Sequence, residues 1–148
     1  MKLVCENIFE FQKGRDPSEV LKLGKRKEME EWLKKFLYTS AYKINSDFTV
    51  DIKSEFISPR DSYFQHIPEF IQFNECKGDF LIRDQYLSSM RGCPRIVHGD
   101  FMVDGNKITD LEGSPTRVDG SYYIKRNNKT FDVEQIKQIC EVGGRIVT

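Results

Sequence analysis

Apolar and polar positions recur along residues 76–124 with a period of 21. Cys76-Lys77-Gly78-Asp79-Phe80 returns as Val97-His98-Gly99-Asp100-Phe101, and again as Val118-Asp119-Gly120-Ser121-Tyr122. Leu87 aligns with Ile108, Met90 with Leu111, Gly92 with Gly113 and Pro94 with Pro115. A fixed period near 20 with recurring apolar, Gly, Asn and Pro positions marks a solenoid, in which each unit stacks only on its neighbours. Phe101 and Val103 stand two apart, so a short strand there points both at one face. Asn106, matched by Gln85 and Asn127, follows where the chain must turn. An inward amide stacked coil on coil can satisfy turn groups that would otherwise be buried without partners.

The third unit departs after Asn127. An insertion, Phe131 to Cys140, carries Val133, Ile136, Ile139 and Cys140 at the spacing of a short helix, and Val142-Gly143-Gly144-Arg145-Ile146 restores the opening pattern. The repeats thus predict about three coils and one final strand. Ahead of them, Asp16-Pro17 is a helix start, an N-cap followed by proline at the first helical position, and Gly24 is expected to close a short turn. From Lys25 to Leu37, Met29, Trp32, Leu33, Phe36 and Leu37 fall at spacings of 3 and 4, which predicts an amphipathic helix. Tyr42-Lys43-Ile44 and Phe48-Thr49-Val50-Asp51-Ile52 flank a polar turn and predict a hairpin. Residues 53–66 read as irregular, with Ser58, Pro59 and Asp61 as loop signals. The expected fold is α+β: a helix and hairpin cap over 1–66, then a short leucine-rich-like β-solenoid over 67–148 with a C-terminal helix insertion acting as the second cap.

Composition narrows the function. The 148 residues carry 23 basic and 23 acidic side chains, so no global field draws the chain to nucleic acid or to an anionic membrane. The aromatic fraction, 12%, suits a folded core. No apolar run approaches the length that spans a bilayer, and the first residues lack the apolar region of a secretory signal. Cys5, Cys76, Cys93 and Cys140 are scattered without CxxC spacing and read as reduced, mostly buried thiols of a cytoplasmic protein.

The pattern Val97-x3-Phe101-x-Val103-x2-Asn106-x-Ile108-x2-Leu111, followed by Pro115, resembles a leucine-rich repeat with one extra residue before the strand. It is more specifically similar to the 21-residue repeats of a bacteriophage-encoded family of unknown function. The opening, Lys2 to Phe11 through Asp16-Pro17, resembles the leader ahead of such repeats. The resemblance implies architecture and a phage origin, hence the cytosol of a host cell, and it carries over no catalytic residues. Residues Leu81 to Met90 depart from the repeat.

Candidate chemistry is sparse. If Phe80/Ile82, Phe101/Val103 and Tyr122/Ile124 face the core, Leu81, Met102 and Tyr123 point outward in one column, with Arg83, Asp104 and Lys125 in a second. An apolar stripe rimmed by charge suits a protein-binding face, unless the N-terminal helix or a second copy covers it. Lys125, Arg126 and Lys129, with Tyr122 and Tyr123, form an alternative nucleic-acid surface, and Lys22, Lys25, Arg26 and Lys27 a second basic cluster. Asp79, Asp100, Asp104 and Asp119 superficially suggest a calcium roll, but such rolls repeat every nine residues, and capping of the strand starts fits better. Cys93 and His98 have ligand-like spacing, yet no second pair completes a zinc site. No phosphate loop, nucleophile elbow or zincin motif occurs. The sequence therefore points to a non-enzymatic module without cofactor or metal that binds a host or viral protein. On the phage resemblance, a stoichiometric inhibitor of a host defence system, as anti-CRISPR proteins are, is one concrete version. A nucleic-acid binder and a structural virion component are the rival readings.

Overall fold

The computed structural model describes residues 16–58 and 64–148. The leader-like segment Lys2 to Phe11, Cys5, Pro59 and Asp61 lie outside the described residues. Helix α1 (Pro17–Leu33) starts on Asp16, whose carboxylate accepts the Ser18 N–H at 3.1 Å, as the Asp-Pro signal predicts. The expected turn at Gly24 does not form: Gly24 lies inside one continuous helix, in open space. The helix also ends at Leu33, not Leu37. Its buried residues, Met29 and Leu33, belong to the C-terminal half, where Trp32 and Phe36 pack against Phe64, Phe73 and Phe56. The helix thus closes the N-terminal end of the core.

The hairpin forms as read: β1 (Tyr42–Ile44) pairs antiparallel with β2 (Thr49–Ile52). However, β2 is more than a cap. It continues into β3 (Phe56–Ile57), and these two open a series of parallel rungs. The next rungs are β4 (Gln72–Cys76) with β5 (Phe80–Leu81), β6 (Ile96–Val97) with β7 (Phe101–Met102), and β8 (Arg117–Val118) with β9 (Tyr122–Tyr123). After helix α2 (Val133–Ile139), β10 (Glu141–Val142) and β11 (Ile146–Val147) make the last one. One sheet runs β1-β2-β4-β6-β8-β10 and the other β11-β9-β7-β5-β3. The result is a β-solenoid of about four turns with two strands per coil, where the repeats suggested about three coils and one final strand. Both sheets reach back across the boundary expected after residue 66.

Three columns of residues hold the coils in register. Where the two strands of a coil meet, Gly78, Gly99, Gly120 and Gly144 stack, each donating its N–H to the carbonyl of the residue one coil before, Ser54, Gly78, Gly99 and Gly120, at 2.6–3.0 Å. A Cβ on Gly120 would stand 2.6 Å from the carbonyl oxygen of Gly99, so only glycine permits this approach. Beside them, the Asp79 carboxylate accepts the Asp100 N–H at 2.7 Å, and the Asp100 carboxylate the Ser121 N–H at 2.8 Å. At the far turn, Asn106 and Asn127 lie inward and bond coil to coil, as expected. Inside, Phe56, Phe80, Phe101 and Tyr122 pile up with successive ring centroids 4.9, 6.0 and 5.0 Å apart. The insertion helix α2 begins with a capping box between Asp132 and Gln135 and buries Ile136.

Candidate functional site

Each rung of the second sheet is only two residues long, so one side chain enters the core and the next leaves it. The register Ile57↔Leu81↔Met102↔Tyr123↔Val147 sets five apolar side chains in one outward column. Strands roughly 4.8 Å apart give a stripe of about 19 Å. Ile57 is 52% exposed and the other four are half-buried. Sequence reasoning found the middle three. Ile57 was missed because its rung lies 24 residues, not 21, before the neighbouring one, and Val147 because the restored pattern was followed only to Ile146. Among the described residues, α1 packs at the end of the core and leaves this face open.

The second predicted column splits. Arg83 and Lys125 are exposed, but Asp104 is buried, only 5% accessible. Its carboxylate turns under to accept the Lys125 N–H at 2.8 Å, and burial raises its pKa despite that hydrogen bond and the nearby Lys125, Arg126 and Arg83 cations. Asp104 is therefore a coil-to-coil fastener and does not stand in the outward column. Arg126 and Lys129 are exposed on the loop after Lys125, with Lys129 Nζ over the Phe131 ring. Lys22, Lys25 and Lys27 are exposed on α1, at the other end of the solenoid.

The outer face of the first sheet is different in kind. Glu75, Ile96, Arg117 and Glu141 form one column across it. Alongside, His98 places Nε2 2.5 Å from the Glu75 carboxylate and Nδ1 2.8 Å from that of Asp119, tying three coils together. Lys77 at 2.9 Å and Arg117 at 2.8 Å complete the pairs. Hydrogen bonding, first from Lys77 and then from His98, lowers the Glu75 pKa; Arg117 and then His98 lower that of Asp119. Glu75, Lys77, His98, Arg117 and Asp119 thus pair with one another.

The remaining candidates serve structure. Cys93 is fully buried and its thiol pKa is raised by that burial, whereas His98 is on the surface, so the two share no site. Cys76 and Cys140 are also buried thiols, each pushed up to about 12 by desolvation. Among the described residues no group of three His, Cys, Asp or Glu side chains could hold a metal ion. No helix among them is long and apolar enough to cross a membrane. An open depression of about 610 Å³ lies on the turn side, lined by His66, Ile67, Pro68, Ile71, Arg91 and Glu112 among others. None of the predicted partner residues lines it.

The fold is a two-sheeted β-solenoid with a paired charge cluster on one outer face and an apolar column on the other. No protein-family model matches the chain, and no curated protein or solved structure is significantly similar to it.

Proposed function

We propose that the chain is a non-enzymatic protein-binding module that docks a partner on the outer face of its second sheet. The observation that carries this reading is the continuous column Ile57–Leu81–Met102–Tyr123–Val147, apolar and outward on a face that no described element covers. On the opposite sheet His98 bridges Glu75 and Asp119 across coils, and Arg117 pairs with Asp119 within its own coil, so those charges already have partners. A column of apolar side chains surrounded by polar ones is what the buried centre of a protein interface needs. The repeat's resemblance to phage sequences supports a phage origin and a host or viral partner, with stoichiometric blocking of a host defence nuclease as the concrete version. Nucleic acid is the weaker reading, because four of the five stripe residues are aliphatic and cannot stack a base.

Met102→Asp tests the reading. The side chain lies outside the core, so circular dichroism and the thermal midpoint should stay close to wild type. Capture from nuclease-treated lysate of an infected host, with the wild-type and variant chains side by side, should recover a stoichiometric protein with the wild type alone. Equal recovery by both chains, both folded, rejects the stripe.

A further inference from the structure

Asp104 and Arg126 together say what chemistry the partner presents. On sequence, the rim of the stripe alternates in sign, Arg83, Asp104, Lys125. In the structure the middle carboxylate is withdrawn beneath the surface. The residues left exposed along that edge are Arg83, Lys107, Lys125 and Arg126, opposed by one exposed carboxylate, Asp84. Lys107 lies over the Tyr86 ring, with Nζ 4.9 Å from its centroid, which holds its charge near this edge.

A second observation is independent of charge. Asp84, Gly105 and Arg126 occupy the same position in three successive coils, and all three turn left-handed, with φ of 54°, 68° and 58°. The backbone at this position thus asks for glycine, as Gly105 supplies, or for Asp, which tolerates it. Arginine does neither, and holding it there is unfavourable to the fold. No hydrogen bond or ion pair from the Arg126 side chain within the described residues offsets that strain. Its guanidinium acts on the buried Asp104 carboxylate only through space, and a strained residue with an exposed side chain at the edge of the proposed face points to a role outside folding.

The geometry points to Arg126, with Lys125 and Arg83, as the recognition group for carboxylates on a protein partner, which lays an apolar segment along the stripe and an acidic flank along this edge. This inference rests on the protein-binding reading and refines it. Complementary charge of this kind sets specificity and association rate, while the apolar column supplies the buried contact.

A random-peptide display library panned against the full chain tests it, with the enriched peptides then titrated by fluorescence anisotropy. Enriched peptides should combine apolar residues with an excess of Asp and Glu over the unselected pool. Arg126→Gly should weaken their binding about tenfold and at the same time raise the thermal midpoint by a few degrees, because the strain is relieved. A purely structural arginine would give the opposite sign in the second measurement, and a lowered midpoint overturns the proposal. Peptides without acidic excess, indifferent to Arg126→Gly and Lys125→Glu but lost with Met102→Asp, overturn the acidic-flank inference and leave the stripe standing. Peptides indifferent to Met102→Asp reject the underlying reading as well. Tighter binding of a 12-residue single-stranded oligonucleotide, displacing the peptides, assigns the edge to phosphate and overturns the proposal.

Discussion

Asn106 is the polar residue on which the coils depend most. Its side chain is buried and makes five hydrogen bonds: Oδ1 accepts the N–H groups of Gln85 and Leu87, each at 3.0 Å, and Nδ2 donates to the carbonyls of Ile82, Val103 and Asp104 at 2.7, 2.9 and 3.2 Å. Asn106→Leu keeps the γ-branched outline, with somewhat bulkier methyls, and removes all five. Two of the three carbonyls retain other donors, Val103 from Asn127 Nδ2 and Asp104 from the Asp84 N–H. The two amides lose their acceptor in the interior, at roughly 1–3 kcal/mol each. With the Ile82 carbonyl also losing its donor, the expected loss is about 3–9 kcal/mol, a large share of the roughly 5–15 kcal/mol that holds a domain folded. Asn127 supplies an internal control, since its Oδ1 accepts only the Ile108 N–H, at 3.1 Å, and it is half-exposed, so water can replace it. Urea unfolding followed by circular dichroism should rank Asn106→Leu well below Asn127→Leu in stability, with similar slopes. A loss under about 1 kcal/mol for Asn106→Leu, or equal losses at the two sites, would refute the claim that buried turn amides need this ladder.

Two glycines should respond to alanine with opposite signs. Gly24→Ala, in open space inside α1, should stabilise by about 0.5–1 kcal/mol, while Gly120→Ala, pressed on the Gly99 carbonyl, should destabilise by roughly 1–3 kcal/mol; thermal melts of the two variants check both. Acid should loosen the first sheet's outer face. Glu75 and Asp119 both have depressed pKa values in the fold, so their contribution is present above their unfolded values near 4 and is lost as pH falls below that range. NMR carboxyl titration should show both midpoints moving upward in His98→Ala; unchanged midpoints would show that the bridge between coils contributes nothing to either carboxylate.

The coils were legible in the sequence because their columns are chemically strict. Glycine at the close approach, aspartate on the next amide and an aromatic in the core recur at 78–80, 99–101 and 120–122, with Ser121 keeping the fastening role by accepting the Arg145 N–H through its hydroxyl. The first rung was not legible, since Ser54-Glu55-Phe56 lacks the Gly-Asp pair and stands 24 residues before its neighbour. Its role is visible only in the pairing, where Ser54 offers its carbonyl to Gly78. Asp104 was misplaced by extending strand alternation past Met102, where the strand ends and the turn begins. Two positions depart from the repeat, Tyr122 where Phe80 and Phe101 stand and Ser114 where Cys93 stands, and nothing in the sequence links them. The structure joins them: the serine hydroxyl meets the tyrosine hydroxyl at 2.7 Å, giving a buried phenol the partner it needs.

This arrangement separates the residues that fold the chain from those free to bind. The fasteners that touch the second sheet and the turns, the Gly78–Gly99–Gly120 corner, the Asp79 and Asp100 carboxylates, Asp104 and the Asn106–Asn127 ladder, act through backbone groups or in the interior, while the His98 bridge lies on the other sheet's outer face. The outward side chains of the second sheet take no part in any of them. Their identity can therefore change with little effect on stability, as a surface substitution away from such features usually does. Solubility alone would favour polar residues at those positions. An apolar side chain occupies each of the five instead, and Arg126 is held beside them against its backbone preference. The inter-coil fasteners require neither choice, and the proposed contact with a partner would account for both.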